Sequence, residues 1–353
     1  MAQEVYRIED AGQLARVVHG QVDPARLTLF STMKNEMGFL PAWLDYHRGV
    51  GFEQFLIWDD ASDDGSFEYL CAQSDCVVMR SDQSYGKIVR YVDPEGKARD
   101  ERLGSYLKIA LPHLFFDGPF VGYLDADEFL ILPPEVSSLT DIVARLRIEG
   151  ATSAVASVVE FFPNSADGLQ GALPQSFDDL IAAYPWFQPE RLVDLRQGEQ
   201  PNIVGESKTA RLFKRFNVEP KVIREGWHKL WMPSRARKAQ MFQKSPRHKT
   251  PLVQRTATSR LENTHYANLP PSSEIVLTVA HFVFTAQFAD KIARARAWGA
   301  HANGAAKYRY YAELLDKMAG VENGFLDENS ERYEGPEQLL RCGLMRWPID
   351  QNR

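Results

Sequence analysis

Three of the four residues in Asp125-Ala126-Asp127-Glu128 are acidic, and they follow the nearly all-apolar run Phe120-Val121-Gly122-Tyr123-Leu124. Carboxylates packed so closely repel one another unless water, backbone N–H groups or a cation neutralises them. Residues two apart in extended chain project to the same side, so Asp125 and Asp127 can offer two hard oxygen ligands to one divalent cation. Magnesium and manganese favour such partial coordination, with diphosphate oxygens completing the shell. There the ion would neutralise the charge growing on a departing diphosphate. The competing reading of the bare triplet is a solvent-exposed turn whose aspartates cap the next helix.

A second acidic constellation, Trp58-Asp59-Asp60-Ala61-Ser62-Asp63-Asp64-Gly65, closes a short apolar run. If that run is a strand, its carboxyl end faces the crevice where open α/β sheets bind ligands, and Asp59 or Asp60 could accept from a nucleobase imide or ribose hydroxyls. Helix capping explains Ser62 and Asp63 but leaves Asp59 and Asp60 unexplained.

The surrounding elements fit such a crevice. Leu27 to Met33 reads as a β-strand, and Phe39, Leu40, Trp43, Leu44 and His47 recur on one helical face. Phe55 to Trp58, a helix from about Ser66 and Val77 to Met79 complete a β-α-β-α-β series, for which a parallel sheet is expected. An amphipathic helix from Leu103 to Leu114 precedes the strand that runs into the DADE segment. Further on, Thr152–Phe162, Arg211–Phe216, Trp227–Met232 and Ile275–Phe284 are strand candidates, and 163–201 is loop-rich. Helices are expected near 286–300 and 305–318, with a less ordered tail over the last thirty or so residues. No GxGxxG loop is present to seat a nicotinamide or flavin.

Composition narrows the class. With 353 residues, 44% hydrophobic and 25% charged, the chain has material for a sizeable core. It contains no apolar run of membrane-spanning length, and its first residues lack the pattern of a secretory signal. Three cysteines without a CxxC pair indicate neither a disulfide framework nor a thiolate zinc site. The cytoplasm is the expected compartment. A net charge of −6 argues against nucleic-acid binding. Lysine and arginine do concentrate between Lys208 and Arg260, including Arg247 to Lys249. A solvated face is the first reading of that segment, and a peripheral contact with anionic acceptors or a membrane surface is the second.

Together, Thr32-Met33-Lys34-Asn35-Glu36, Trp43-Leu44-Asp45-Tyr46-His47, IWDDASDDGS and YLDADEFLILP resemble, in order and spacing, glycosyltransferases of families 2 and 92, over roughly the first 135 residues. The resemblance implies a GT-A-like α/β fold with a mainly parallel twisted sheet flanked by helices and a C-terminal acceptor-side elaboration. It implies a nucleotide-sugar donor, with a uridine diphosphate sugar as the expectation, and inversion at the anomeric carbon. Carried over, Asp125 and Asp127 bind the metal and diphosphate, Asp59 or Asp60 the base, and Glu36 the nucleotide. The segment from Ala280 to Thr285, with a helix bearing Lys291 and Arg294, is similar to the late histidine segment of the family, which adds His281 to the metal group. Phe282 departs from the tyrosine of that pattern. Lys229, in Trp227 to Pro233, resembles a family lysine that could face phosphate.

An inverting transfer to a hydroxyl of a glycan, lipid-linked or other acceptor needs a general base. Glu160 ranks first because it closes a strand, with Asp194 and Glu206 behind it. The expected organisation is an N-terminal extension (1–25), a glycosyltransferase domain (26–300, with 26–135 binding the donor and 136–300 facing the acceptor) and a C-terminal helical extension and tail (301–353). Two rivals stand beside this reading. One is a magnesium-dependent phosphohydrolase or nucleotidyltransferase, and the other is a non-catalytic nucleotide-sugar-binding module of the same fold.

Overall fold

Alternation of β-rich runs with one-faced helical segments governs the first third of the chain in the computed structural model, which describes residues 4–218, 245–298 and 302–348. Strand β1 (Val5–Tyr6), the short helix α1 (Ala11–Leu14) and β2 (Arg16–His19) lead into β3 (Thr28–Met33), α2 (Leu40–Gly49), β4 (Gln54–Asp59), α3 (Ser66–Cys71) and β5 (Cys76–Arg80). Next come a hairpin of β6 (Ile88–Val92) and β7 (Ala98–Arg102), then α4 (Leu103–Phe115), β8 (Phe120–Tyr123), β9 (Glu128–Ile131), α5 (Leu139–Glu149) and β10 (Ser153–Glu160). Helix α6 (Phe177–Ala183) precedes three two-residue strands, β11 (Trp186–Phe187), β12 (Val193–Asp194) and β13 (Asn202–Ile203). The remainder comprises α7 (Lys208–Arg215), β14 (His248–Gln254), β15 (Val276–His281), α8 (Phe288–Trp298), α9 (Ala302–Met318), β16 (Glu331–Arg332) and α10 (Pro336–Arg341).

Among the described residues the main sheet has nine strands, in the order β2-β5-β4-β3-β8-β14-β10-β15-β9. The expectation of a mainly parallel sheet is corrected: the sheet is mixed. Strands β5, β4, β3 and β8 run parallel to one another, as do β10 and β15, whereas β2, β14 and β9 are reversed against their neighbours. Helical crossovers enforce parallel pairing through β8, which α4 returns to the free edge of β3. Beyond that point β14 inserts between β8 and β10, a partner choice that strand periodicity does not encode.

Successive residues of the central strands feed opposite cores. Leu29, Phe55 and Ile57 join α2 and α5 on one face, while Phe30, Leu56 and Trp58 join α4 on the other. A third cluster joins Phe162, Phe284 and Phe325 to Leu314 and Met318 of α9.

Two further expectations change. Residues Arg211 to Arg215 are helical rather than extended and Phe216 is the C-cap, because Ser207 caps the amino end through Ala210 N at 3.2 Å and Asn217, with φ 52°, ends the helix. Leu212, Phe213 and Phe216 suit a helical face as well as they suit a strand. The C-terminal residues are not a loose tail: β16 pairs with β11, Leu339, Leu344 and Met345 are buried in the main core, and Arg346 exchanges backbone hydrogen bonds with Val276 at 2.8 and 2.9 Å. The first 25 residues supply β1, paired with β6, and the sheet-edge strand β2. Trp227 to Met232 lies outside the described residues. No helix among the described residues is long and apolar enough to cross a membrane.

Helix α2 is tied to β9 at three points. Trp43 Nε1 donates to the Glu128 carbonyl at 3.1 Å, Tyr46 Oη donates to the Leu130 carbonyl at 2.9 Å, and Leu130 N lies 3.4 Å from His47 Nε2. Burial pushes the His47 imidazole down to about 3, so it stays neutral and accepts. Replacing Trp43 with Phe removes the indole donor and leaves the Glu128 carbonyl buried without it. A loss of about 1–3 kcal/mol is expected from that hydrogen bond, readable by urea unfolding; an unchanged midpoint would refute the clamp.

Candidate active site

Strand direction collects the acidic residues at one edge of the sheet. Six strands deliver their carboxyl ends there, and the reversed strands β9 and β14 begin there, so Glu36, Asp59, Asp125, Asp127, Glu160 and His281 share an edge with Glu128 and Lys249. A cavity of about 560 Å³ at the opposite end, lined by Gln21, Asp23, Arg26 and Asp75 among others, contains none of them.

The DADE segment is a turn rather than extended chain. Glu128 N donates to the Asp125 carbonyl at 3.1 Å, and Asp125 N donates to Glu128 Oε2 at 2.8 Å. The alternation expected of a strand is therefore lost, and the two aspartates meet different cations. Asp125 accepts from Lys108 at 2.6 Å and from Lys249 at 2.9 Å, and Lys249 also pairs with Glu128. Burial would raise the Asp125 carboxyl, but the two ammonium groups hold it well below the carboxylate range. Burial opposes the charge on both lysines; Asp125 and Glu128 together lift Lys249 above the ordinary lysine range, whereas Lys108 falls below it.

Asp127 has another set of neighbours. Its Oδ2 accepts from Lys291 of α8 at 2.5 Å, and its Oδ1 lies 3.7 Å from His281 Nε2. Against burial, these two cations keep the Asp127 carboxyl below its usual range. His281 is raised, because Asp127 outweighs the effect of burial. Its Nδ1 is buried without a hydrogen-bond partner. Glu36 stands 4.0 Å from Lys291. Burial pushes its carboxyl up to about 7 against the pull of Lys291, and the Asp127 charge adds to the rise.

The pairing of Asp127 Oδ1 with His281 Nε2 would fit a shared cation once the imidazole gives up its Nε2 proton. The gap is long for a hydrogen bond, and a carboxylate oxygen with an imidazole nitrogen is an open, two-donor set that phosphate oxygens could complete. Among the described residues no group of three His, Cys, Asp or Glu is arranged around a metal position. Asp125, expected beside Asp127 as a ligand, has both oxygens engaged by lysines.

The loops after β3 and β4 lock together. Asn35 and Asp63 exchange hydrogen bonds at 2.7 and 2.9 Å, Ser62 Oγ accepts from Asn35 N at 2.8 Å, and Asp64 accepts from Met37 N at 3.0 Å. Ser62 and Asp63 thus serve the neighbouring loop rather than capping α3. Asp59 is sequestered against Arg80 at 2.6 Å, under a guanidinium that lies 3.5 Å from the Phe67 ring centroid. Asp60 accepts from Tyr85 N at 2.9 Å, and its other oxygen faces Lys34 at 3.8 Å.

Glu160 is in register with His281 but is occupied: Thr209 donates to it from its backbone N at 2.7 Å and from Oγ1 at 2.5 Å. It thereby anchors the start of α7. Lys229 lies outside the described residues. Lys108 and Lys249 were missed by sequence reasoning. A lone lysine in the apolar run Leu107-Lys108-Ile109-Ala110-Leu111 was the available signal for the first. The solvated-face reading of Arg247 to Lys249 fails at Lys249, which is 1% exposed.

No family model matches the chain. Over 117 residues it is 27% identical to a glycosyltransferase family 92 protein of Oryza sativa subsp. japonica, a stretch covering 33% of this chain and 18% of that protein. The chain therefore has a distant glycosyltransferase-family relative and spans less than a fifth of its length.

Burial pushes the Asp60 carboxyl up to about 6, with Lys34 pulling the other way. The folded protein then holds this proton more tightly than the unfolded chain. The resulting stabilisation is present below about pH 4 and is lost as the pH rises through about 6. Asp60→Asn should abolish a loss of about 2–3 kcal/mol across that window. Urea unfolding at both ends would test this, and parallel profiles for the two proteins would contradict it.

Proposed function

We propose that this protein is a glycosyltransferase that moves a sugar from a uridine diphosphate sugar to a hydroxyl of a glycan, lipid-linked or other acceptor, with inversion at the anomeric carbon. The observation that carries the reading is the Asp127–His281 pair, an oxygen and a nitrogen 3.7 Å apart at the carboxyl edge of a mixed α/β sheet. The distant family 92 relative supports the transferase class.

In this reading Asp127 and His281 would hold a divalent cation, which when bound would supply Lewis-acid stabilisation to the departing diphosphate. An imidazole donor favours manganese over magnesium, which prefers all-oxygen shells. Asp60, on the loop after β4, accepts from the imide of the base. Glu36 lies beside the diphosphate position, near enough to neutrality to hold or release a proton at physiological pH. Asp125, fixed between Lys108 and Lys249, sets the position of the turn that presents Asp127.

Thermal unfolding with UDP, UDP-sugars and Mn²⁺ tests the reading. Ligand at 100 times its Kd should add about 2.7 kcal/mol to stability, only when Mn²⁺ is present, and Asp127→Ala should abolish the gain. A gain that ignores both the metal and the substitution would refute the assignment.

A further inference from the structure

Three lysines neutralise the acidic turn, but they are not equivalent. Lys249 and Lys108 have side chains 1% and 5% exposed, rooted in β14 and α4, and they grip Asp125 and Glu128. Lys291 is 28% exposed and sits on α8 at the rim of the site. It alone of the three touches Asp127, the carboxylate whose second oxygen faces His281.

The support for Lys291 is built to hold its helix in place. The preceding residue Gln287 seats against the loop after β3 so tightly that a Cβ on Gly38 would lie 1.6 Å from Gln287 Nε2. Ala286 N donates to Tyr184 Oη at 3.0 Å. The backbone of α8 is thus pinned at its start, while the long Lys291 side chain keeps solvent access and three rotatable donors. An ammonium and a divalent cation cannot share one carboxylate without mutual repulsion.

Resting on the glycosyltransferase reading above, we propose that Lys291 is an intramolecular counter-ion: it occupies Asp127 while the donor is absent and is displaced when the metal binds, its ammonium then pairing with the donor diphosphate. Lys291 therefore suppresses metal binding without nucleotide and couples metal uptake to donor arrival. The two cationic groups, metal and ammonium, reach the diphosphate only when both ligands are in place. Glu36, 4.0 Å away, keeps the ammonium near the site during the exchange.

The test measures Mn²⁺ affinity by titration calorimetry, with and without UDP, in the full chain and in Lys291→Gln and Lys291→Arg. Lys291→Gln should bind Mn²⁺ alone about fivefold more tightly than the unaltered protein, the scale of one lost ion pair. Its affinity for UDP at saturating Mn²⁺ should fall. Lys291→Arg keeps the charge and should retain the weak binding of Mn²⁺ alone. If Lys291→Gln binds Mn²⁺ alone no more tightly while the unaltered protein still takes up Mn²⁺ with UDP, the counter-ion role is overturned and the functional reading stands. If UDP affinity at saturating Mn²⁺ is unchanged in Lys291→Gln, the transfer to diphosphate is overturned. If the unaltered protein takes up no Mn²⁺ even with UDP, both are overturned.

Discussion

Charge neutralisation at the turn after β8 is the constraint on which the rest of the site depends. Asp125, Asp127 and Glu128 bring three carboxylates into four residues, two of them almost completely buried. Two like charges 4 Å apart repel by about 4 kcal/mol at an effective dielectric of about 20, so such a turn is tenable only with cations built in beside it. The chain supplies them from three elements far apart in sequence: Lys108 from α4, Lys249 from β14 and Lys291 from α8. The mixed sheet is part of this solution. Reversal of β14 against β8 puts its first residues, and with them Lys249, at the edge where β8 ends.

The same edge is held rigid by contacts among motifs. Asn35 and Ala61 both take left-handed backbone conformations, at φ 57° and 55°, in the two loops that flank the site. Such conformations cost roughly 1 kcal/mol or more each and persist where surrounding contacts over-determine them. Here the Asn35–Asp63 exchange and the hydroxyl of Ser62 do so. On the other side, the α2 segment Trp43 to His47 grips the backbone of β9 directly after the acidic turn. Sequence motifs lying between 80 and 90 residues apart thereby act as one scaffold.

Much of the first 135 residues was legible because its information is local. The apolar strand runs, the one-faced helix α2 and the acidic segment at a strand end all follow from side-chain period and polarity. The late helices α8 and α9 and strand β15 were legible for the same reason. Where two periods fit one segment, as at Arg211 to Phe216, the capping serine and the packing of Leu212 and Phe213 decided the outcome. The final segment was too short and too polar for its core contacts through Leu339, Leu344 and Met345 to register as a pattern.

By itself, the sequence determined which chemical groups the site contains and that a strand would end on them, because residue type and local periodicity are properties of contiguous chain. Tertiary structure alone decided how those groups are divided: Asp59 against Arg80, Asp125 between two lysines, Glu160 under Thr209, and Asp127 with His281 and Lys291. The physical reason is that a carboxylate's ionic partner is set by strand order and helix packing across distances of up to 164 residues in the chain, and no local pattern records those contacts.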